Sequence, residues 1–125
     1  MTKNKKILIV EDEPSLRKAL MIKLVEEGFA VLEAVNGADG LAVALREHPD
    51  MILLDIVMPV MDGMTMLAKL RGDPWGKDAK VIVLTNLSDT EKVSAAMTKG
   101  TFDYLVKADW KLEDVVRKVR ERLGN

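Results

Sequence analysis

Five short apolar runs alternate with longer stretches of helical period along the chain, and this alternation leaves few folds open. The runs cover residues 6–10, 30–34, 51–54, 80–84 and 104–106. The first, third and fourth are apolar at successive positions, as strands are when helices cover both faces of their sheet. The second is weaker and polar-flanked, which suggests an outer strand. Leu16, Ala19, Leu20 and Leu24 share one face of a helix over about 14–27, with Pro14 at the first helical position and Gly28 as its stop. Asn36 caps a second helix running to about Glu47, and Asp62 a third ending near Gly72. Ser88 to Glu91 matches a capping box, so a fourth helix runs to about Lys99. Leu112, Val115, Val116, Val119 and Leu123 mark one face of a fifth, which starts at Trp110 with Asp109 able to cap it. The pattern is (βα) five times, which implies a parallel α/β sheet covered by helices on both faces, with right-handed crossovers.

Composition narrows the chemistry. The chain has 125 residues, the size of one domain, and 48% of them are apolar. Nineteen basic and 20 acidic residues give a net charge of −1, so no overall basic field exists to hold nucleic acid. With no cysteine and one histidine, disulfides, thiolate zinc sites, cysteine nucleophiles and two-histidine metal sites are all excluded. The start is basic, but the apolar run of 7–10 is too short for a signal sequence or a membrane span. A single cytoplasmic domain over residues 1–125 is expected, with no output domain in the chain.

Doubly wound sheets collect their functional groups at the carboxyl ends of the strands. Here the first run ends in Glu11, Asp12 and Glu13, the third in Asp55, the fourth in Thr85 and the fifth in Lys107. Glu11, Asp12 and Asp55 would bring up to three carboxylates together, and like charges that close need compensation. Oxygen donors without histidine or cysteine point to a hard divalent ion, Mg²⁺ or possible Mn²⁺. Lys107 adds a cation and Thr85 a hydroxyl, both suited to a phosphoryl group. A carboxylate so placed can be a nucleophile that forms an aspartyl phosphate.

These residues resemble the receiver domain of two-component response regulators. The resemblance covers essentially the whole chain, in order: the acidic pair Glu11-Asp12 in the segment 7–13, Asp55 in the segment 53–59 with Asp62-Gly63 following, then Thr85, Tyr104 and Lys107. It implies a flavodoxin-like, all-parallel sheet of strand order 2-1-3-4-5. It implies that Asp55 accepts a phosphoryl group from a histidine kinase or a histidine phosphotransfer protein. Asp12 and Asp55 would ligate Mg²⁺ directly, with the backbone carbonyl of Val57 as a third ligand and Glu11 acting through water. Lys107 would pair with Asp55 and then with the phosphoryl oxygens. Thr85 would move toward the phosphoryl group and Tyr104 would rotate inward behind it. That couples the site to the face made by the fourth helix, fifth strand and fifth helix, where a downstream protein would bind. The implied protein is a phosphoprotein and not an enzyme with diffusible-substrate turnover. It contacts neither nucleic acid nor membrane directly and is a monomer or a phosphorylation-linked dimer.

One position departs from the family pattern. Ala108 follows Lys107 where proline is usual. A cis bond before a non-proline residue costs about 2.5–4 kcal/mol, so a trans Lys107–Ala108 bond and a re-shaped loop are expected. Val57 and Leu87 occupy positions that influence water access to the phosphoryl group, and neither can orient a water, so slow self-dephosphorylation is expected.

Several other residues have plainer readings. Glu13 reads as a solvated helix-start charge, Asp62 as a cap and His48 as an exposed helix end rather than a phosphotransfer residue. Met58, Met61, Met64 and Met66 read as packing near a bend, with partner contact by Met58 or Met61 the alternative. Trp110 can be an interface anchor or can pack on the fifth helix. Arg117, Lys118, Arg120 and Arg122 read as a solvated helix face. Competing functions fare worse. A phosphohydrolase of the haloacid dehalogenase type wants an acid two residues after the nucleophile, where Val57 stands. Flavodoxin-like and nucleotide-binding modules need a phosphate loop, and Glu11 to Glu13 would repel phosphate. A receiver-like interaction domain that is never phosphorylated is the remaining alternative, against which the full set Glu11, Asp12, Asp55, Thr85 and Lys107 argues.

Overall fold

The computed structural model describes residues 5–56, 58–85, 103–106 and 111–124. Five strands form one sheet: β1 (Lys6–Val10), β2 (Ala30–Ala34), β3 (Met51–Asp55), β4 (Val81–Thr85) and β5 (Asp103–Val106). Their order is β2-β1-β3-β4-β5, and every pairing is parallel. This is the doubly wound α/β sheet that the alternation implied. The described helices are α1 (Pro14–Glu26), α2 (Gly37–Glu47), α3 (Gly63–Arg71) and a C-terminal helix (Leu112–Leu123), with a 3₁₀ turn at Gly76–Asp78. None of the described helices is long and apolar enough to cross a membrane.

Side chains alternate across a strand, so each buried strand feeds two cores. Leu8, Val10, Ile52, Leu54, Val81 and Val83 pack on one face with Met66, Leu67 and Leu70 of α3 and Ala44 of α2. Ile7, Ile9, Met51, Leu53, Ile82 and Leu84 pack on the other with Leu20 and Leu24 of α1 and Val115, Val116 and Val119 of the C-terminal helix. Burying each such aliphatic side chain contributes roughly 1.5–3 kcal/mol. β1, β3 and β4 thus have no polar face, which is why their sequences read as unbroken apolar runs. β2 lies at the edge, and Ala30 and Glu33 on it are exposed.

The local stops behave as their chemistry requires. Pro14 opens α1, and Gly28, at φ 95°, donates its N–H to the Val25 carbonyl just past the helix end. Asn36 and Asp62 accept the N–H groups of Asp39 and Thr65 at 2.9 and 2.8 Å, capping α2 and α3. The C-terminal helix begins later than Trp110. Lys111 is its N-cap and Leu112 its first residue, because Asp114 accepts the Lys111 N–H at 2.7 Å and closes the first turn. Asp109, Trp110, the Lys107–Ala108 bond and the predicted fourth helix lie outside the described residues.

Two contacts were invisible in the sequence. His48, exposed at the end of α2, stacks on Trp75 with ring centroids 4.4 Å apart and planes 7° from parallel. Arg120, expected on a solvated face, pairs with Glu27 at 2.8 Å and lies over the Phe29 ring at 5.5 Å, which ties the C-terminal helix to the end of α1. Met58 and Met66 are buried in the α2–α3 core, with Met61 and Met64 packed against it. That is the packing role, and it leaves Met58 unsuited to partner contact.

Candidate functional site: an acidic cleft at the strand ends

The site follows from the strand order. β1 pairs directly with β3, with Val10 opposite Leu54. The residues that follow Val10 therefore meet the residue that ends β3, although they are far apart in sequence. The Glu11 N–H continues the ladder by donating to the Ala34 carbonyl at 3.1 Å, which carries Glu11 inward. Glu11 is fully buried and Asp55 is 4% exposed, while Asp12 is partly exposed to solvent. Carboxylate oxygens of Glu11, Asp12 and Asp55 lie within 4.8 Å of one another. Glu13, as expected, stands outside this cluster, exposed at the α1 N-cap with no side-chain cap.

The turn that presents the acids is held from two sides. The Glu13 N–H donates to Glu11 Oε2 at 3.2 Å. Arg17, one turn into α1, donates to the Glu11 backbone carbonyl at 2.9 Å and lies 3.4 Å from the Glu33 carboxylate on β2. Sequence reasoning passed over Arg17. The one available signal was a basic residue one turn after an acidic strand end.

Asp55 is fixed from the other side by the segment that links β3 to α3. The Gly63 N–H donates to the Ile56 carbonyl at 2.8 Å, closing this segment into a loop. Gly37 donates to the Met61 carbonyl, also at 2.8 Å, joining the loop to the start of α2. Between these bonds Val60 is held at φ 67° and is 84% exposed. A β-branched residue in that region costs on the order of 1–3 kcal/mol and persists only where its surroundings impose it.

Thr85 ends β4, one residue beyond the Leu84 that pairs with Asp55, so its backbone stands beside the acidic cluster's edge of the sheet. Tyr104 lies in β5 opposite Val83. Val57 and Lys107 fall outside the described residues. The structure thus brings together Glu11, Asp12 and Asp55 and sets Thr85 at the same end of the sheet.

Three carboxylates at these separations repel by roughly 3–4 kcal/mol per ionised pair at an effective dielectric of about 20. The donor set fits a hard divalent cation, since all three side chains offer oxygen and one is solvent-accessible, which leaves room for water ligands.

Comparison with known proteins decides the family, because the response regulator receiver domain model matches residues 7–120. The chain belongs to the response regulator receiver domains. Its fold is that of a CheY-like receiver from Methanospirillum hungatei, with a TM-score of 0.89 and 28% identity, covering 97% of this chain and 94% of that one. A second similar structure is the receiver domain of sensor histidine kinase PA1611 from Pseudomonas aeruginosa. It has a TM-score of 0.88 and 27% identity, covers 98% and 99% of the two chains, and has a magnesium ion coordinated in its active site cleft. Among curated relatives, the DNA-binding dual master transcriptional regulator RpaA of Synechocystis sp. is 35% identical over 94% of this chain and 48% of its own length. This receiver domain spans about half the length of the first curated relatives it matches.

Proposed function

We propose that this receiver domain, over residues 1–125, is the phosphoacceptor of a two-component phosphorelay, with Asp55 as the residue that takes the phosphoryl group. The observation that carries this is the nearly buried Asp55 at the end of β3, with Glu11 and Asp12 within 4.8 Å of it. The protein donor is a sensor histidine kinase or a histidine phosphotransfer protein. An Asp55 carboxylate oxygen attacks phosphorus, the P–N bond to the donor's imidazole breaks, and the imidazole takes up a proton.

Asp12 and Asp55 would hold Mg²⁺ directly, with the Val57 carbonyl as a third ligand and Glu11 acting through water. Bound there, the ion neutralises charge on the phosphoryl oxygens and aligns them. The chain's own groups do the rest. Lys107 pairs with Asp55 and then with the phosphoryl oxygens, and the Thr85 hydroxyl donates to them. Phosphorylation adds roughly −1.5 to −2 charges with strong acceptors, which biases Thr85 and Tyr104 toward an inward arrangement. That change is read on the face around β5 and the C-terminal helix by a downstream protein. The domain acts in the cytoplasm, promotes its own phosphorylation and dephosphorylation, and turns over no diffusible substrate.

The test is incubation with Mg²⁺ and acetyl phosphate, read by intact mass. One phosphoryl adduct is expected, absent in Asp55→Asn and absent with excess chelator. No adduct together with no Mg²⁺ binding would instead identify an interaction domain that is never phosphorylated.

A further inference from the structure

The loop from Ile56 to Gly63 is pinned at points where only glycine fits. A Cβ on Gly63 would stand well inside van der Waals contact of the Asp55 carbonyl oxygen, 2.9 Å from Ile56 Cα and 3.0 Å from the Asp55 carbonyl carbon. A Cβ on Gly37 would press on the Met61 carbonyl oxygen and lie 2.9 Å from the Asp62 oxygen. Real Cβ atoms do not approach so closely, so any side chain at these positions forces the neighbour to move. At Gly63 the neighbour is the backbone of Asp55 itself. At Gly37 it is the far side of the same loop.

We infer that Gly63 and Gly37 are positioning residues for the Asp55 carboxylate. They let α3 and α2 close on the loop from two directions, so that Asp55 stays at the separation from Glu11 and Asp12 that a shared cation needs. Three observations converge on this. Both glycines are buried and each donates a 2.8 Å hydrogen bond into the loop. Both crowd backbone rather than the end of a flexible side chain, so no rotamer change can absorb a methyl group. The loop also holds Val60 at φ 67°, a conformation that a β-branched residue keeps only when both ends of the loop are fixed. Asp62 contributes by capping α3 through the Thr65 N–H, which sets the first turn of α3 where Gly63 enters it.

Gly76 supplies the control. A Cβ there would crowd the Leu70 carbonyl as severely, with Leu70 Cδ1 at 2.8 Å. It lies in the 3₁₀ turn before β4, at the opposite end of the sheet from Asp55. A merely structural role for Gly63 would make Gly63→Ala and Gly76→Ala behave alike.

The inference rests on the proposed metal-assisted acceptor function, and the experiment separates the two. Mg²⁺ affinity is measured by calorimetry for the wild type, Gly63→Ala, Gly37→Ala and Gly76→Ala, with thermal midpoints recorded in chelator. All three variants are expected to lose stability. Mg²⁺ affinity is expected to fall at least tenfold in Gly63→Ala and severalfold in Gly37→Ala, and to stay within twofold of wild type in Gly76→Ala. Gly37→Ala presses on the Met61–Asp62 backbone rather than on that of Asp55, so it keeps the test open should Gly63→Ala not fold. Unchanged affinity in the folded loop variants, or an equal loss in Gly76→Ala, overturns the positioning role. A wild type that binds no Mg²⁺ overturns the functional reading instead.

Discussion

Arg17 reaches back from the first turn of α1 to donate to the backbone carbonyl of Glu11 at 2.9 Å, beside the Glu33 carboxylate at 3.4 Å. The turn that carries Glu11 and Asp12 is thereby tied to α1 and to the edge strand β2. A charge-assisted hydrogen bond in a half-buried setting contributes about 1.5–3 kcal/mol. Arg17→Ala is therefore expected to lower unfolding free energy by about 1.5–3 kcal/mol, measured as a shifted urea midpoint at unchanged slope. A midpoint equal to wild type would show that the tie carries no stability.

Mg²⁺ that binds the folded chain and not the unfolded one stabilises it by mass action. At a hundred times its Kd the gain is about 2.7 kcal/mol. The thermal midpoint should rise with added Mg²⁺ and return on adding EDTA. Asp12→Asn and Asp55→Asn should each blunt the rise. The same rise in both variants would place the ion elsewhere.

Decay of the phosphorylated protein should be slow, because Val57 offers no group to orient an attacking water. Val57→Asn is expected to speed the loss severalfold, followed by intact mass after removal of the donor. Equal or slower decay in the variant would count against this account of the position.

Asp114 gives a pH dependence with a definite sign. The hydrogen bond from the Lys111 N–H, then the Arg117 guanidinium, holds its carboxyl below the ordinary 3.8. The unfolded chain therefore binds this proton at higher pH than the folded chain does. The stability contributed is complete above roughly pH 5 and is lost as pH falls through about 4 and below. The midpoint difference between wild type and Asp114→Asn should shrink on going from about pH 6 to about pH 3. A constant difference would assign the effect to something other than ionisation.

Residue by residue, what the sequence revealed is what acts over short range. The runs around Ile9, Leu53 and Ile82 announce strands because both their faces are buried, and no later contact alters that pattern. Asn36 and Asp62 announce helix starts because a cap bonds only three residues ahead. The start of the C-terminal helix at Leu112 is set over the same short range: Asp114 offers the Lys111 N–H a partner within the helix, and the first turn forms there. His48 reads as a plain helix end because nothing near it in sequence reveals Trp75. Arg120 reads as solvated because Glu27 and Phe29 come from a distant turn.

The same division runs through the site. The sequence alone determined that acids stand where strands end, and so that Glu11, Asp12 and Asp55 were the residues to watch. Only the tertiary structure decided how close they come, since this depends on β1 lying beside β3 and on α3 closing against Asp55 through Gly63. Periodicity and capping are written in neighbouring residues, whereas strand order and the clearance between two backbones are set by packing the whole chain at once.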